Sequence, residues 1–501
     1  MARFTHDILV VGGGAAGLTT ASGSAQLGLK TALVEKAHLG GDCLYYGCVP
    51  SKALLRTASV YHEMRSSARF GLPSIVAPPV DMASVNARVQ SVIAAIAHHD
   101  SPERFTSLGA DVYFGSPRFV SPHEVELADG TRLSAGRIVL AVGSSPRGLP
   151  VPGLAEAGYI TNVDVFSLPE LPPRLVVIGA GPIGIEMAQA FGRLGSKVSV
   201  VDVADQILIK EDPDVAQIVQ RRLEADGVAV FVGASIARVE AGPNGKTVVL
   251  AGSPERRLEA DRILVAAGRQ GNTADLDLER AGVSVERSFI PVDNTLRTSQ
   301  RHIMAIGDCN GQFLFTHVAG AEGSVAVRRF ALGIGGTIDY RAVPWCTYTD
   351  PEIASVGHNE RSARDAGIRY DVIRQPLDAV DRAQAEGETD GVMKILVGPN
   401  GRVIGTQIVG PHAGELLGPA LFAVTGRWKP SALMGPIYPY PTVLESYKKA
   451  VGGSLAPKLF NEKVRSILRF LHRYRGSGPR DPQPAHGIPA NGSPAHPKER
   501  T

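Results

Sequence analysis

Two cysteines, Cys43 and Cys48, lie five positions apart in a glycine-rich segment that Lys52 follows. This separation allows the two sulfurs to meet if the backbone bends, and Gly47 permits a bend. A helix is expected to begin near Pro50, and the partial positive charge at its N-terminal end would stabilise a thiolate. The segment therefore predicts a reactive thiol pair. For such a spacing taken alone, the alternative is two buried, inert thiols.

A glycine-rich turn lies upstream of the thiol pair. The apolar run 8–11 predicts a buried strand, and Gly12, Gly14 and Gly17 follow it with the spacing GxGxxG. The first glycine allows a tight turn, the second lets a pyrophosphate approach the backbone, and the third permits close packing of helix on strand. The next predicted strand ends at Glu35, whose carboxylate can accept hydrogen bonds from both ribose hydroxyls. Together these features predict a dinucleotide-binding fold.

The same pattern recurs in the middle of the chain. Gly179, Gly181 and Gly184 follow a second apolar strand, and Asp202 ends the strand after them. In both repeats the first glycine and the acid are 23 residues apart. Two such folds imply two bound dinucleotides.

Each repeat closes with a similar strand that ends in a glycine, Gly143 in the first repeat and Gly268 in the second. The first repeat is about 42 residues longer, and the extra residues include the thiol pair and a helical stretch that runs to Asp100. We therefore expect the thiol pair to lie between the two dinucleotides.

Length and composition are those of an ordinary globular chain. Its 501 residues suffice for about three domains, and its formal charge of +3 is too small to argue for a nucleic-acid partner. No apolar run approaches the roughly 18 residues of a membrane span, and the first strand leaves no room for a signal peptide. Four cysteines do not make a secreted disulfide scaffold, so we expect a cytoplasmic protein.

The run 40–52, GGDCLYYGCVPSK, resembles the redox-disulfide signature of the pyridine nucleotide–disulfide oxidoreductases. The resemblance covers residues 5–455, and within it 348–357 is similar to part of the family's dimerisation domain. It implies a homodimeric enzyme in which NAD(P)H reduces FAD and the flavin reduces a Cys43–Cys48 disulfide. The electrons then pass to a small disulfide or a thiophilic metal ion, as in mercuric reductases.

The expected fold class is α/β, with two Rossmann-like dinucleotide-binding domains, for FAD and NAD(P), and a C-terminal α+β dimerisation domain. In the last of these, 345–356 and 392–409 alternate like strands, and 414–425 predicts a helix. The expected boundaries are 1–150 for the FAD domain with the disulfide, 151–280 for the NAD(P) domain, 281–343 for a return to the FAD domain, 344–456 for the dimerisation domain and 457–501 for a basic, largely disordered tail.

The resemblance assigns roles to individual residues. It implies that Cys48 contacts the flavin, that Cys43 exchanges with the substrate, and that Lys52 pairs with Glu186 near the flavin's reactive nitrogen. A fixed positive charge there stabilises the reduced flavin. No resident metal site is predicted, and Cys309 and Cys346 are interpreted as small buried residues. The predicted cofactor-binding residues are Gly12, Gly14, Gly17, Glu35, Lys52, Gly115, Gly143, Asp308, His317, Gly179, Gly181, Gly184, Asp202 and Gly268.

Asp202 bears on the choice of nicotinamide cofactor. A carboxylate there accepts from an unmodified ribose and repels a 2′-phosphate, which favours NADH over NADPH. Two nearby cations, Arg193 and Lys197, are interpreted mostly as helix-surface charges.

The segment 438–445, YPYPTVLE, departs from the family pattern. Two branches, the lipoamide dehydrogenases and glutathione reductases, have HPTxxE, in which the glutamate holds a histidine that is the acid–base partner of the distal thiol across the dimer interface. Here Tyr440 stands at the histidine position and Glu445 matches the glutamate. A phenol with a pKa of about 10 is a poor base at neutral pH. Mercuric reductases resemble the chain in having a tyrosine there, but the chain lacks their C-terminal cysteine pair and N-terminal CxxC domain.

Two alternatives to a disulfide or metal-ion reductase remain. One is a dihydrolipoamide dehydrogenase with altered acid–base chemistry, and the other is a redox-sensing flavoprotein that binds a partner through its basic tail. From Lys458 to Thr501 the chain has nine Lys/Arg and three Asp/Glu residues. An apolar face at 464, 467, 468 and 471 predicts a short helix that either docks on its own dimer, the favoured interpretation, or contacts a membrane surface weakly. The Pro/Gly/Ser-rich end after Gly476 is too polar to fold.

Overall fold

The computed structural model describes residues 4–243 and 245–472. The chain divides into two compact units, residues 1–450 and 451–501.

The first dinucleotide fold is built on a parallel sheet with the order β3-β2-β1-β6, in which β6 also extends into a small antiparallel sheet with β5 and β4. Residues Ile8 to Val11 of its central strand are at most 2% exposed, as expected for a parallel strand covered by helices on both faces. Its elements are β1 (His6–Val11), α1 (Ala15–Gln26), β2 (Thr31–Glu35), α2 (Gly41–Tyr45), α3 (Cys48–Arg65), α4 (Met82–Ala97), α5 (Pro102–Ser107), β3 (Ala110–Phe114), β4 (Arg118–Ser121), β5 (Glu124–Glu126) and β6 (Arg132–Leu140).

The second dinucleotide fold repeats this plan with a parallel sheet of order β10-β9-β8-β14 and an antiparallel sheet β11-β12-β13. A two-stranded ribbon of β7 and β15 lies at the ends of this segment. Its elements are β7 (Ser144–Pro146), α6 (Leu154–Ala157), β8 (Arg174–Ile178), α7 (Pro182–Leu194), β9 (Lys197–Val201), α8 (Pro213–Ala225), β10 (Ala229–Phe231), β11 (Ile236–Gly242), β12 (Gly245–Leu250), β13 (Arg256–Ala260), β14 (Arg262–Val265) and β15 (Arg269–Gly271).

The chain then returns to the first sheet. The strand β16 (Ile303–Ala305) pairs in parallel with β6, and the helix α9 (Thr316–Ala326) packs against α1. This return places the residues after β16 at the same edge of the sheet as the first glycine turn, because the carboxyl ends of parallel strands meet there.

The last part of the first unit is an antiparallel sheet of order β17-β18-β21-β20-β19. The stretch 345–356 forms two paired strands, and the predicted helix 414–425 is two helices separated at Leu417. The elements are β17 (Pro344–Thr347), β18 (Glu352–Gly357), α10 (Glu360–Asp365), β19 (Asp371–Pro376), α11 (Asp381–Glu386), β20 (Val392–Val397), β21 (Val403–Gly410), α12 (Ala413–Leu416), α13 (Gly418–Thr425), α14 (Ser431–Met434) and α15 (Ser446–Leu459), whose last turns belong to the second unit.

The described part of the second unit is helical. Helix α15 continues through Pro457, and α16 (Glu462–His472) lies where the sequence predicts a short helix. On α16, Ile467, Leu468 and Leu471 are exposed within the described chain. Residues 473–501 lie outside the described residues. Within the described ranges, no helix has the length and apolar character needed to cross a membrane.

Candidate active site

The two glycine turns have the same backbone geometry. Gly12 and Gly179 have φ angles of 111° and 112°, and a Cβ at either position would lie 2.3 or 2.6 Å from the carbonyl oxygen of Ala141 or Ala266. An L side chain is excluded on both grounds. Each turn is therefore held against the closing strand of its own sheet.

The next glycines leave the space that a dinucleotide needs. A Cβ on Gly14 or Gly181 would meet no atom within 4 Å, whereas one on Gly17 or Gly184 would lie 1.8 or 1.9 Å from a backbone oxygen of the same turn. The middle glycine thus borders open space at a helix N-terminus, and the third is required for helix packing. These turns fit the pyrophosphates of two dinucleotides.

The two acids hold their turns in the same way. Glu35 accepts hydrogen bonds from the backbone amides of Gly13, at 2.7 Å, and Ala37, at 2.8 Å. Asp202 accepts from the amides of Ala180, at 2.6 Å, and Ala204, at 2.8 Å. Each carboxylate oxygen has a second lone pair for a ribose hydroxyl, so the donor set fits the two nucleotides.

Asp308 follows β16 at the edge of the first sheet. Its Oδ2 atom accepts a hydrogen bond from the Ser144 hydroxyl at 2.6 Å, and the Arg269 guanidinium lies 3.8 Å away. Burial raises the pKa of Asp308. The sequence did not indicate Arg269, which joins Asp308 to Asp42, 3.1 Å away, beside the thiol pair.

The remaining predicted cofactor residues lie at element ends. Gly115, Gly143 and Gly268 follow β3, β6 and β14 or lie close after them, with positive φ angles. His317 is the second residue of α9, and its Nε2 atom lies 2.8 Å from the carbonyl oxygen of Pro344.

The two cysteines lie in two consecutive helices. Cys43 is within α2, and Cys48 is the first residue of α3, two positions before the helix start expected near Pro50. Gly41, with a φ of 61°, lies so close to Gly14 that a Cβ would be 3.0 Å from its Cα atom. Close approach of these two glycines brings the thiol segment to the first nucleotide turn.

The two sulfurs are free thiols that share a hydrogen bond. This hydrogen bond from Cys43 lowers the pKa of Cys48 to about 6, with further contributions from Thr316 and Lys52 that outweigh burial. The hydroxyl of Thr316, at the start of α9, lies 3.5 Å from the Cys48 sulfur. The same pairing, together with burial, raises the pKa of Cys43. In the reduced pair, the contacts with Thr316 and Lys52 therefore favour the thiolate form of Cys48.

Lys52 and Glu186 form an ion pair. The Lys52 ammonium lies 2.9 Å from the Glu186 carboxylate, whose side chain is 5% exposed. The other oxygen of Glu186 accepts a hydrogen bond from the backbone amide of Tyr348 at 3.0 Å. Lys52 also lies 4.2 Å from the centre of the Tyr348 ring, within the range of a cation–π contact. Tyr348 was not among the predicted site residues.

Tyr440 and Glu445 do not contact each other through a hydrogen bond in the described structure. Tyr440 is 70% exposed, and its hydroxyl donates to Asp381 Oδ2 at 2.9 Å. Glu445 Oε1 lies 4.0 Å from Lys449 Nζ. Asp381, rather than Glu445, is therefore the hydrogen-bond partner of the Tyr440 hydroxyl among the described residues.

The expectation that Arg193 is mainly a surface charge is wrong. Arg193 is 4% exposed and pairs with Asp226 at 2.7 Å and Asp350 at 2.8 Å, so it joins the second dinucleotide fold to the segment between β17 and β18. Lys197, at the start of β9, is exposed.

The other two cysteines are less exposed than Cys48. Cys309 is fully buried, donates its thiol to the carbonyl of Leu140, and has a pKa raised to about 12 by burial. Cys346 is half-buried, and burial raises its pKa as well. Neither thiol is disposed to ionise near neutral pH.

One acidic cluster among the described residues has carboxylates close enough to bind a metal ion, and it consists of Asp212, Asp214 and Glu360. The ammonium of Lys394, which is fully buried, lies within 3.0 Å of all three. The lysine already supplies the positive charge, so this cluster joins the second and third domains as an ion network.

The sequence did not indicate four residues that contact the predicted site residues, and these four share one property. Thr316, Tyr348 and Arg269 contact residues of the thiol segment from segments far along the chain, and Asp381 contacts Tyr440 in the same way. The nearest available signal was the YTDPE run that begins at Tyr348.

The fold and site together define an oxidoreductase in which two dinucleotide-binding folds flank a reactive thiol pair. The chain belongs to the pyridine nucleotide-disulphide oxidoreductases, whose profile matches residues 6–323, and the profile of the family's dimerisation domain matches residues 343–451. The family assignment and the fold class expected from the sequence are thus confirmed. Enzymes of this family depend on FAD and NAD(P)H.

Relatives with different substrates resemble the chain to similar degrees. It is 35% identical to a dihydrolipoyl dehydrogenase of Chlamydia muridarum over 89% of this chain and 96% of that one. It is 34% identical to a mercuric reductase of Acidithiobacillus ferrooxidans over 92% of this chain and 83% of that one. Among solved structures, the Cu(II) complex of the HOCl-induced flavoprotein disulfide reductase RclA from Escherichia coli matches with a TM-score of 0.80 and 27% identity, covering 90% of this chain and 99% of that one.

Proposed function

We propose that the protein is a homodimeric, FAD-dependent reductase that takes electrons from NAD(P)H, with NADH favoured, and delivers them through Cys43 and Cys48 to a disulfide or a thiophilic metal ion. The asymmetry of the thiol pair carries this proposal. The hydrogen bond from Cys43 and the contacts with Thr316 and Lys52 lower the pKa of Cys48, which is exposed, whereas Cys43 is half-buried. A cytoplasmic location suits a thiol pair that is reduced again after each turnover.

The first nucleotide turn and Glu35 would hold the FAD, and the second turn and Asp202 would hold the nicotinamide cofactor. When bound, FAD supplies two-electron transfer between the nicotinamide and the thiol pair. Lys52 keeps a positive charge beside Cys48, and Glu186 fixes its position. Asp308 is anchored by Ser144 at the edge of the first sheet, where a flavin side chain would meet it.

Residue 440 supports this choice of substrate class. Oxidation of a dithiol requires a base to remove a thiol proton, and a phenol of ordinary pKa is ionised to roughly one part in a thousand at pH 7. The pKa of Tyr440 is raised further by its hydrogen bond to Asp381. Reduction of a metal ion such as Hg(II) or Cu(II) removes no proton from a substrate thiol and so needs no such base. The resemblance to a mercuric reductase and to a copper-binding disulfide reductase supports this direction.

Dihydrolipoamide oxidation is the second candidate, since the chain is 35% identical to a dihydrolipoyl dehydrogenase over nearly the full length of both proteins. The alternative of a redox sensor depends on the basic tail, of which residues 473–501 lie outside the described structure.

The deciding experiment is anaerobic reduction of the purified protein by NADH, followed by mixing with lipoamide, glutathione disulfide, Hg(II), Cu(II) or a quinone. We expect rapid reoxidation by a disulfide or a metal ion, and loss of this reoxidation in Cys43→Ser. Rapid dihydrolipoamide oxidation at pH 7, unchanged in Tyr440→Phe, would instead identify a lipoamide dehydrogenase. Slow reoxidation by every acceptor, together with redox-dependent binding of a partner, would favour the sensor.

A further inference from the structure

Arg269 lies between two carboxylates that come from distant parts of the chain. Its Nη2 atom lies 3.1 Å from Oδ2 of Asp42, the residue before Cys43, and its Nε atom lies 3.8 Å from Asp308 Oδ2. The guanidinium also donates two hydrogen bonds to Ser144, one from Nε to the hydroxyl at 2.7 Å and one from Nη2 to the backbone carbonyl at 2.8 Å. The Ser144 hydroxyl in turn donates to Asp308 at 2.6 Å. One side chain, only 12% exposed, therefore connects the thiol-bearing stretch 42–48 with the edge of the first sheet.

Asn162 makes a second attachment to the same stretch. Its Nδ2 atom donates to Asp42 Oδ1 at 3.3 Å and to the backbone carbonyl of Tyr46 at 2.9 Å, so one buried amide contacts both ends of α2. The Asp42 carboxylate also lies against the bend between the cysteines, since a Cβ on Gly47 would be 3.2 Å from Asp42 Oδ2. Asp42 is thus the point at which the stretch 42–48 is fixed to the rest of the first unit.

We propose that Arg269 is a positioning residue for the thiol pair: by holding Asp42, it keeps the stretch 42–48 in the conformation in which the two sulfurs meet. This inference rests on the proposed function, in which Cys43 and Cys48 alternate between a disulfide and a dithiol. It adds a residue of the strand β15 to the groups that set how readily the disulfide forms.

Disulfide formation depends on how closely the folded chain holds the two thiols. The sulfurs already share a hydrogen bond in the reduced protein, so little conformational freedom is lost when the S–S bond closes. Without the contact between Arg269 and Asp42, the reduced stretch would also adopt conformations in which the sulfurs are apart. The dithiol would gain more conformational entropy than the cross-linked disulfide, and the equilibrium would shift toward the dithiol.

The test is the equilibrium of the Cys43–Cys48 pair with dithiothreitol in the full-length holoenzyme. Reduced dithiothreitol transfers two electrons and two protons to the protein disulfide, which gives two protein thiols and cyclic, oxidised dithiothreitol. Anaerobic samples are equilibrated at a series of ratios of oxidised to reduced dithiothreitol and then alkylated. The mass of the tryptic peptide 37–52, which contains both of these cysteines and neither of the other two, gives the reduced fraction without any measurement of turnover.

Arg269→Met should lower the equilibrium constant for disulfide formation by roughly threefold to tenfold. This change converts to a rise of about 15–30 mV in the reduction potential of the pair, a two-electron couple. Gln270→Ala is the matched control, because Gln270 is the next residue of β15 and is exposed. The control should keep the equilibrium constant of the unmodified protein.

Asp42→Asn tests the same contact from its other partner. The Asp42 side chain is 37% exposed, and the substitution leaves the hydrogen bonds between Arg269 and Ser144 in place, so the fold should be retained. The equilibrium constant should fall in the same direction by a smaller factor, because the amide oxygen still accepts one hydrogen bond. In the double variant the two effects should not add, since each substitution removes the same ion pair.

Two results would overturn the inference. One is an equilibrium constant for Arg269→Met that equals that of Gln270→Ala, and the other is full addition of the two effects in the double variant. If the peptide 37–52 of the unmodified protein formed no disulfide at any ratio of oxidised to reduced dithiothreitol, the proposed function would fail, and the inference with it.

Discussion

Lys52 and Glu186 are 134 positions apart and form an ion pair of 2.9 Å whose carboxylate also accepts a hydrogen bond from the Tyr348 backbone. One buried carboxylate therefore joins the thiol-bearing helix α3, the helix α7 of the second dinucleotide fold and the start of the third domain. Because Lys52 also lowers the pKa of Cys48, the reactivity of the thiol pair depends on how these three segments pack.

The first prediction concerns the Cys48 thiolate. Two-electron reduction by NADH should give the long-wavelength absorbance of a thiolate beside a flavin, and Cys48→Ser should abolish it while FAD stays bound. In the unmodified protein the band should disappear as the pH falls through about 6, because the thiolate becomes protonated below its pKa. Anaerobic titration followed by absorbance measures both effects.

A second pair of variants tests the effect of the Lys52 charge on the Cys48 thiolate. Lys52→Met removes a cation that stabilises the thiolate, so the midpoint of the band should move to higher pH. Arg56→Met removes an exposed cation from the same helix and should leave the midpoint in place. A band that survived in Cys48→Ser would show that Cys48 is not the sulfur next to the flavin.

The second prediction concerns the nicotinamide cofactor. We expect kcat/KM for NADH to exceed that for NADPH by roughly tenfold or more, because the Asp202 carboxylate repels a 2′-phosphate. Asp202→Asn should narrow this gap, since the amide oxygen still accepts one of the backbone hydrogen bonds and the charge is lost. Steady-state kinetics with both cofactors measure the ratio, and a clear preference of the unmodified protein for NADPH would contradict the assignment.

The third prediction replaces the phenol. Tyr440→His should raise dihydrolipoamide oxidation near pH 7, because an imidazole with a pKa near 6.5 is largely unprotonated there and Asp381 remains to orient it. Reduction of the enzyme by NADH should not change, since the Tyr440 side chain hydrogen-bonds to Asp381 and not to a residue of either nucleotide turn. Stopped-flow measurement separates the two half-reactions. Equal dithiol oxidation in Tyr440→His, Tyr440→Phe and the unmodified protein would remove residue 440 from the reaction.

The fourth prediction concerns stability. Lys394→Met leaves three neighbouring carboxylates without their buried cation, which should lower the free energy of unfolding by about 3–5 kcal/mol. Mutual repulsion raises the carboxylate pKa values in the folded variant, so its stability should recover partly as the pH falls and they take up protons. Urea unfolding at several pH values tests this, with the exposed Lys210→Met as control. A loss below about 1 kcal/mol would mean that water solvates the cluster.

The fifth prediction concerns the C-terminal segment. Deleting residues 461–501 keeps α15 intact and should leave FAD content and reduction by NADH unchanged, because every predicted site residue precedes residue 446. Loss of FAD would show that the segment belongs to the catalytic fold. Sedimentation with anionic vesicles and measurement of the dimer constant, before and after deletion, distinguish contact with a membrane surface from docking on the dimer.

Much of the fold could be predicted from the sequence because short local motifs specify the two dinucleotide folds. Gly12 and Gly179 lie in turns that no other residue type fits, and each is followed by its acid at the same distance. The thiol pair was accessible for the same reason, since Cys43 and Cys48 lie within one short segment. Such patterns depend on the backbone geometry of a few neighbouring residues, and the amino-acid types at those positions are enough to predict that geometry.

The sequence by itself therefore determined the class of fold, the two nucleotide turns and the thiol pair. The tertiary structure decided that Thr316 lies beside Cys48, that Tyr348 covers Lys52, that Arg193 is buried and that Asp381 rather than Glu445 holds Tyr440. The physical reason is that hydrogen bonds and ion pairs act over about 3 Å in space, whichever segments the packing brings together, so side chains in distant segments meet without any local pattern that records the contact.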